Sequence, residues 1–154
     1  MGSTVPADRT GHTLRSRTVT LTGVDVQSFT PDHLDGVLRL CIAENWPSFP
    51  ADPERAQRIL TAPGVTTVVA LEDRAVLGFA ELFSDGELQT YLANLAVDAA
   101  HRRRGIARAM IETALRLAGG ERVDLLSEDA ATGFYRQLPN FPMTGFRLYP
   151  FHIS

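Results

Sequence analysis

The chain has 154 residues, 44% of them hydrophobic and 21% charged, with a formal net charge of −3. That suits a single soluble globular domain with a sizeable core. No apolar run is long enough to span a bilayer, and the slight excess of acid argues against a face built for nucleic acid. Cys41 is the only cysteine, which excludes an intrachain disulfide and any paired Cys/His zinc spacing.

Residues 1–16 are small, polar and charged and are expected to be disordered, leaving 17–154 as one folded domain. They lack the apolar stretch of a secretory signal, so the default expectation is a cytoplasmic protein. Thr18 to Leu21 reads as a first strand ending at Gly23. Thr30 and Pro31 then open a helix as N-cap and first position, with Leu34, Val37, Leu38, Cys41 and Ile42 at helical spacing. Cys41 lies on that apolar stripe and reads as a small core side chain, not a nucleophile, which argues against an acyl-cysteine route. A Pro-broken loop, Glu44 to Pro50, carries Trp46 and Phe49; it either covers the core or lines a pocket. Asp52-Pro53 starts a second helix that runs to Leu60.

Val65 to Leu71 is a β-branched strand, and Val76 to Phe83 returns after a turn. Both faces of the second strand are apolar, which places it centrally. Glu81 is its exception. A desolvated carboxylate has a raised pKa and can act as a base. The competing reading is that Glu81 reaches water or an arginine at the strand end. A strand from Leu88 to Val97 follows, then Arg102-Arg103-Arg104-Gly105-Ile106-Ala107-Arg108, then a helix from Ile106 to Ala118 stopped by Gly119-Gly120. Val123 to Leu126 reads as a short strand. Ser127 is expected to cap a helix from Glu128 to Leu138, and Phe146 to Phe151 reads as a terminal strand.

Four arginines thus cluster at the start of one helix, where backbone N–H groups are unpaired and the macrodipole is positive. Gly105 and the small Ala107 let a ligand approach the backbone closely. Together they make a site for a polyanion, most naturally a pyrophosphate. Arginine turns also serve nucleic-acid binders, but here the basic patch is local in an acidic chain.

Arg102-Arg103-Arg104-Gly105-Ile106-Ala107, directly after Leu95-Ala96-Val97, resembles motif A of the GNAT superfamily of acetyl-CoA-dependent N-acetyltransferases. Arg103 stands where many members have Gly, and Ala107 takes the less common option at the last position. Ala131-Thr132-Gly133-Phe134-Tyr135 is similar to motif B, although Leu138-Pro139-Asn140-Phe141 departs from the Leu-Gly-Phe-like turn that usually follows. The resemblance implies an α/β fold with a mixed, strongly twisted sheet of about six to seven strands flanked by about four helices. It implies acetyl-CoA as cosubstrate and no metal. Leu95, Ala96, Val97, Arg102 to Arg108 and Phe134 would hold the cofactor, and Tyr135 would be the general acid. Glu81 is the first candidate base and Glu44 the second; Glu44, Trp46 and Phe49 would face the acceptor. The acceptor would be a small-molecule amine or a peptide amine, with no nucleic-acid or membrane partner. Homodimers are frequent in the superfamily, and no feature of the sequence decides for or against one. A CoA-binding sensor without catalysis on the same fold is the alternative reading.

Overall fold

The computed structural model describes residues 21–149. Five strands form one sheet in the order β1-β2-β3-β4-β5: Asp25–Ser28, Val65–Glu72, Ala75–Ser84, Gln89–Val97 and Arg122–Asp124. The first four are antiparallel neighbours, and β5 runs parallel to β4. Four helices accompany them: α1 (Leu34–Ala43), α2 (Pro53–Leu60), α3 (Ile106–Ala118) and α4 (Asp129–Arg136). The parallel pair β4 and β5 needs a crossover, and α3 supplies it.

The sheet is buried on both faces. Val68, Ala70, Ala80, Leu82 and Leu92 pack against Ile106, Met110 and Ala114 of α3. On the other face Val69, Phe79 and Ala96 pack against Val37, Leu40 and Cys41 of α1 and Leu60 of α2. Central β3 is buried from Val76 to Leu82, as two apolar faces demand. Gly78 is required there. A Cβ would stand 2.8 Å from the carbonyl oxygen of Ala96 and 2.9 Å from Met110.

Several expected boundaries move. Among the described residues there are five strands, against the expected six to seven. Most of the expected strand at 18–21 lies outside the described residues, and Leu21 itself is not in a strand. The first observed strand is β1, whose one half-buried residue, Val26, gives too little alternation to read. No strand forms at 146–149, and 150–151 lie outside the described residues. Helix α4 starts one residue later than expected and ends at Arg136. Ser127 does not cap it: its hydroxyl donates to the Glu128 carbonyl, and the N-cap position is Glu128. Thr30 does open the first helical segment, but as a 3-10 turn over Pro31–His33, where the Thr30 N–H donates to His33 Nδ1 at 3.0 Å.

Candidate active site

The end of β4 and the start of α3 make the site. β5 pairs only with Gln89, Thr90 and Tyr91, so from Leu92 to Val97 that edge of β4 has no neighbouring strand among the described residues. A bulge adds to the divergence. Glu81 faces Asn94 and Leu82 faces Leu92, leaving Ala93 as the extra residue. Leu95, Ala96 and Val97 therefore lie on a free strand edge that leads to the arginine turn.

Helix α3 begins at Gly105, which has φ +80 and gives no side-chain cap. The first backbone bond into it runs from the Ala109 N–H to the Gly105 carbonyl. Among the described residues, no acceptor meets the N–H groups of Gly105, Ile106, Ala107 or Arg108. The contrast with α2 is direct, since Asp52 Oδ1 accepts from the Arg55 N–H at 3.0 Å. A 13-residue helix with a bare N-terminus is a cradle for negative charge. Ile106 is buried in the core and anchors the turn.

Three of the four arginines are already engaged. Arg102 donates to Glu44 Oε1 at 2.5 Å and to the Val97 carbonyl at 3.2 Å. Arg104 donates to Glu72 at 2.7 Å, and that bond holds the Glu72 carboxyl below its ordinary range. Arg108 meets Glu112 at 2.8 Å along the helix. Arg103 has no carboxylate partner among the described residues, and its backbone has φ +61. Only glycine takes such a conformation freely, which explains a glycine preference at this place in the motif.

Glu81 is 1% exposed, so the reading in which it reaches water or an arginine is corrected. By strand alternation it shares a face with Phe79 and points to the α1–α2 side. Its Oε2 accepts from Asn94 Nδ2 at 2.5 Å, and its buried Oε1 has no partner among the described residues. Burial pushes its pKa up, and the Asn94 bond offsets part of that rise. Asn94 is the site residue that sequence reasoning passed over. The signal was there: a lone polar residue in an apolar strand facing a lone polar residue in the next.

Glu44 ends α1 and is tied to Arg102. Trp46 packs on the α1–α2 core and also lines a depression of about 520 Å³ with Ile42, Asn45, Pro47, Pro50 and Ala51. Phe49 packs against the same core without lining that depression. Tyr135 is half-buried against the α3-side core, and burial raises its pKa. Phe134 stands edge-on to it with centroids 5.0 Å apart. The structure thus joins Glu44 to the arginine turn and Glu81 to β4, while Tyr135 packs on the sheet face opposite Glu81.

The family model described as "Acetyltransferase (GNAT) family" matches residues 32–138. The chain belongs to the GNAT acetyltransferases. Solved structures of this fold agree. An aminoglycoside acetyltransferase from an uncultured soil metagenomic sample is 19% identical, with TM-score 0.69 over 86% of this chain and 98% of that one. AAC(6')-Iy, solved with a CoA-based bisubstrate analogue, is 19% identical with TM-score 0.69 over 84% of this chain and 98% of that one. A Deinococcus radiodurans R1 protein, provisionally assigned as an acetyltransferase, is 30% identical with TM-score 0.67 over 84% and 90%. No curated protein matches the chain. The GNAT domain contains no helix, among the described residues, that is long and apolar enough to cross a membrane.

Proposed function

We propose that this GNAT member transfers an acetyl group from acetyl-CoA to a primary amine by direct attack within a ternary complex. The bare N-terminus of α3 beside the free edge of β4 carries the reading. The two features fit the two parts of CoA that need backbone partners. Unpaired N–H groups at Gly105 to Arg108 suit a pyrophosphate, with Arg102, Arg103 and Arg104 to supply charge-assisted bonds. The edge at Leu95, Ala96 and Val97 suits the amide-rich pantetheine arm, which pairs as an added strand. A β4 N–H is also placed to steady the oxyanion that develops on the acetyl carbonyl.

An alkyl amine has a pKa near ~10.4 and arrives protonated. Glu81 is the base this reading assigns. Its buried, unpartnered Oε1 is an acceptor for that proton, relayed by water, and its raised pKa brings it closer to neutral pH. Glu44 is the second candidate. The freed amine nitrogen bonds to the acetyl carbon, the carbon–sulfur bond breaks, and the thiolate takes the proton of the Tyr135 hydroxyl. Burial keeps that hydroxyl protonated until it is needed. The acceptor enters from the α1–α2 side, past Glu44 and Trp46. A small cationic amine, the class of acceptor named for the aminoglycoside acetyltransferases of this fold, suits those groups.

Calorimetric titration of acetyl-CoA into the protein, beside an Arg102→Ala/Arg104→Ala variant, is the test. Micromolar binding that the variant weakens supports the reading, and a panel of amines then identifies acceptors. Absence of binding to the folded protein refutes it. Binding with no turnover on any amine would make the chain a CoA-dependent regulator.

A further inference from the structure

The sheet sets two polar side chains against each other in its middle, and only Glu81 has a part in the reaction proposed above. Pairing of β3 with β4 places Leu82 opposite Leu92. A regular antiparallel ladder would then place Glu81 opposite Ala93. The bulge slips the pairing by one residue and brings Asn94 there instead. On its other side Glu81 faces Thr67 of β2, whose hydroxyl gives its one proton to the Leu60 carbonyl at 2.9 Å. Along β3 its same-face neighbours are Phe79 and Phe83. The Asn94 amide is thus the one hydrogen-bond donor that meets the carboxylate among the described residues. Asn94 itself is half-buried, on the stretch of β4 whose outer edge no described strand covers.

We propose that Asn94 is the positioning residue for the base: its amide N–H holds Glu81 Oε2 and so leaves Oε1 as the oxygen that receives the acceptor's proton. The inference rests on the assignment of Glu81 as that base. A carboxyl turns readily about its last torsion and exchanges its two oxygens, and the amide fixes one orientation. A donor to the charged form also favours that form, and only the charged form takes a proton. The proton passes from the ammonium to Oε1. That leaves a neutral amine to attack and a carboxylic acid that returns its proton to water after each turnover. The other groups around Glu81 do not replace the amide. Cys41 of α1 feels the charge of Glu81, but with its thiol pushed up to about 11 it stays neutral. Glu44 at the end of α1 is paired with Arg102, and the buried residues of α2, Ala56 and Leu60, carry no charge. Asn94 is therefore the neighbour that offsets the desolvation of Glu81.

A carbon-13 NMR titration of the Glu81 carboxyl, assigned with Glu81→Gln, tests this before any acceptor is known. Loss of a hydrogen bond to a charged group should raise the midpoint in Asn94→Leu by about 1 pH unit or more. Asn94→Asp keeps the shape and sets a second carboxylate beside the first, so the pair should hold a proton to still higher pH. This variant carries the test alone if Asn94→Leu does not fold. A midpoint that stays at the wild-type value overturns the proposal. With an acceptor from the amine panel, the acid limb of kcat/KM should move upward with the midpoint. Activity should return as pH rises, and the calorimetric Kd for acetyl-CoA should not change. A uniform loss of rate at every pH would make Asn94 merely structural and overturn its positioning role. Glu81→Gln separates this inference from the reading beneath it. Full turnover in Glu81→Gln removes Glu81 as the base and the role of Asn94 with it. Lost turnover there, with a wild-type acid limb in the Asn94 variants, overturns the role of Asn94 alone.

Discussion

A glutamate that is 1% exposed, with one oxygen on Asn94 and the other on nothing, is an expensive group to keep in a core. Its raised pKa has a direct thermodynamic consequence. The folded chain holds this proton more tightly than the unfolded chain does. The stabilisation is therefore fully present below the ordinary glutamate range and is lost as pH climbs through the raised value. Glu81→Gln keeps the shape and removes the titration. It should melt above the wild type at mildly alkaline pH, with the gap closing as the buffer is acidified; a gap that ignores pH would rule out burial as the cause. The same variant should lose most of its turnover if Glu81 is the base. Tyr135→Phe tests the other end of the reaction. Loss of a general acid typically costs about 10²-fold or more in rate, so kcat should fall on that scale while the calorimetric Kd for acetyl-CoA stays put. An unchanged kcat would retire the assignment.

At the level of elements, the turn before α3 combines two left-handed residues, Arg103 and Gly105, at φ +61 and +80. Only the second is a glycine. Arg103→Gly should relieve about 1 kcal/mol of backbone strain. In a domain of this size that is a rise of roughly 2–4 °C in Tm, readable by calorimetry. Gly78→Ala acts in the opposite direction. Its methyl would press on the Ala96 carbonyl and on Met110, with an overpacking cost of about 1–3 kcal/mol and a displaced β4 edge. Lower Tm and weaker acetyl-CoA binding should appear together. Helix α3 was legible to the residue because an unbroken 3.6 period runs between Gly105 and Gly119, both in the left-handed region that ends a helix. Strand β1 was not, since an edge strand with one half-buried side chain carries almost no period. The strand expected at 146–151 does not form over 146–149, because periodicity records which residues are apolar and not whether an edge lies beside them. The Glu81–Asn94 pair depends on register, and the bulge at Ala93 that sets it has no local signature.

The molecule is one sheet between two helical layers, with α3 on one face and α1 and α2 on the other. The two layers are also tied by charge. Arg102 reaches from the α3 turn to Glu44 at the end of α1, and Arg39 of α1 reaches Asp98 at 3.0 Å beyond the end of β4. These pairs are partly exposed and contribute little each, so packing across the sheet holds the layers together. Cys41 sits in the α1–α2 layer, 1% exposed, where burial first and then the charges of Glu81 and Glu44 push its thiol up to about 11. A thiolate is the reactive form, so the native chain is silent towards thiol-directed dyes. Such a dye can therefore count free CoA during a reaction with no background from the protein itself. Mixed with the protein alone under rising denaturant, it becomes a reporter of unfolding: one equivalent of colour should appear, at the midpoint where far-ultraviolet dichroism is lost. Colour at zero denaturant would mean that the α1–α2 layer opens on its own.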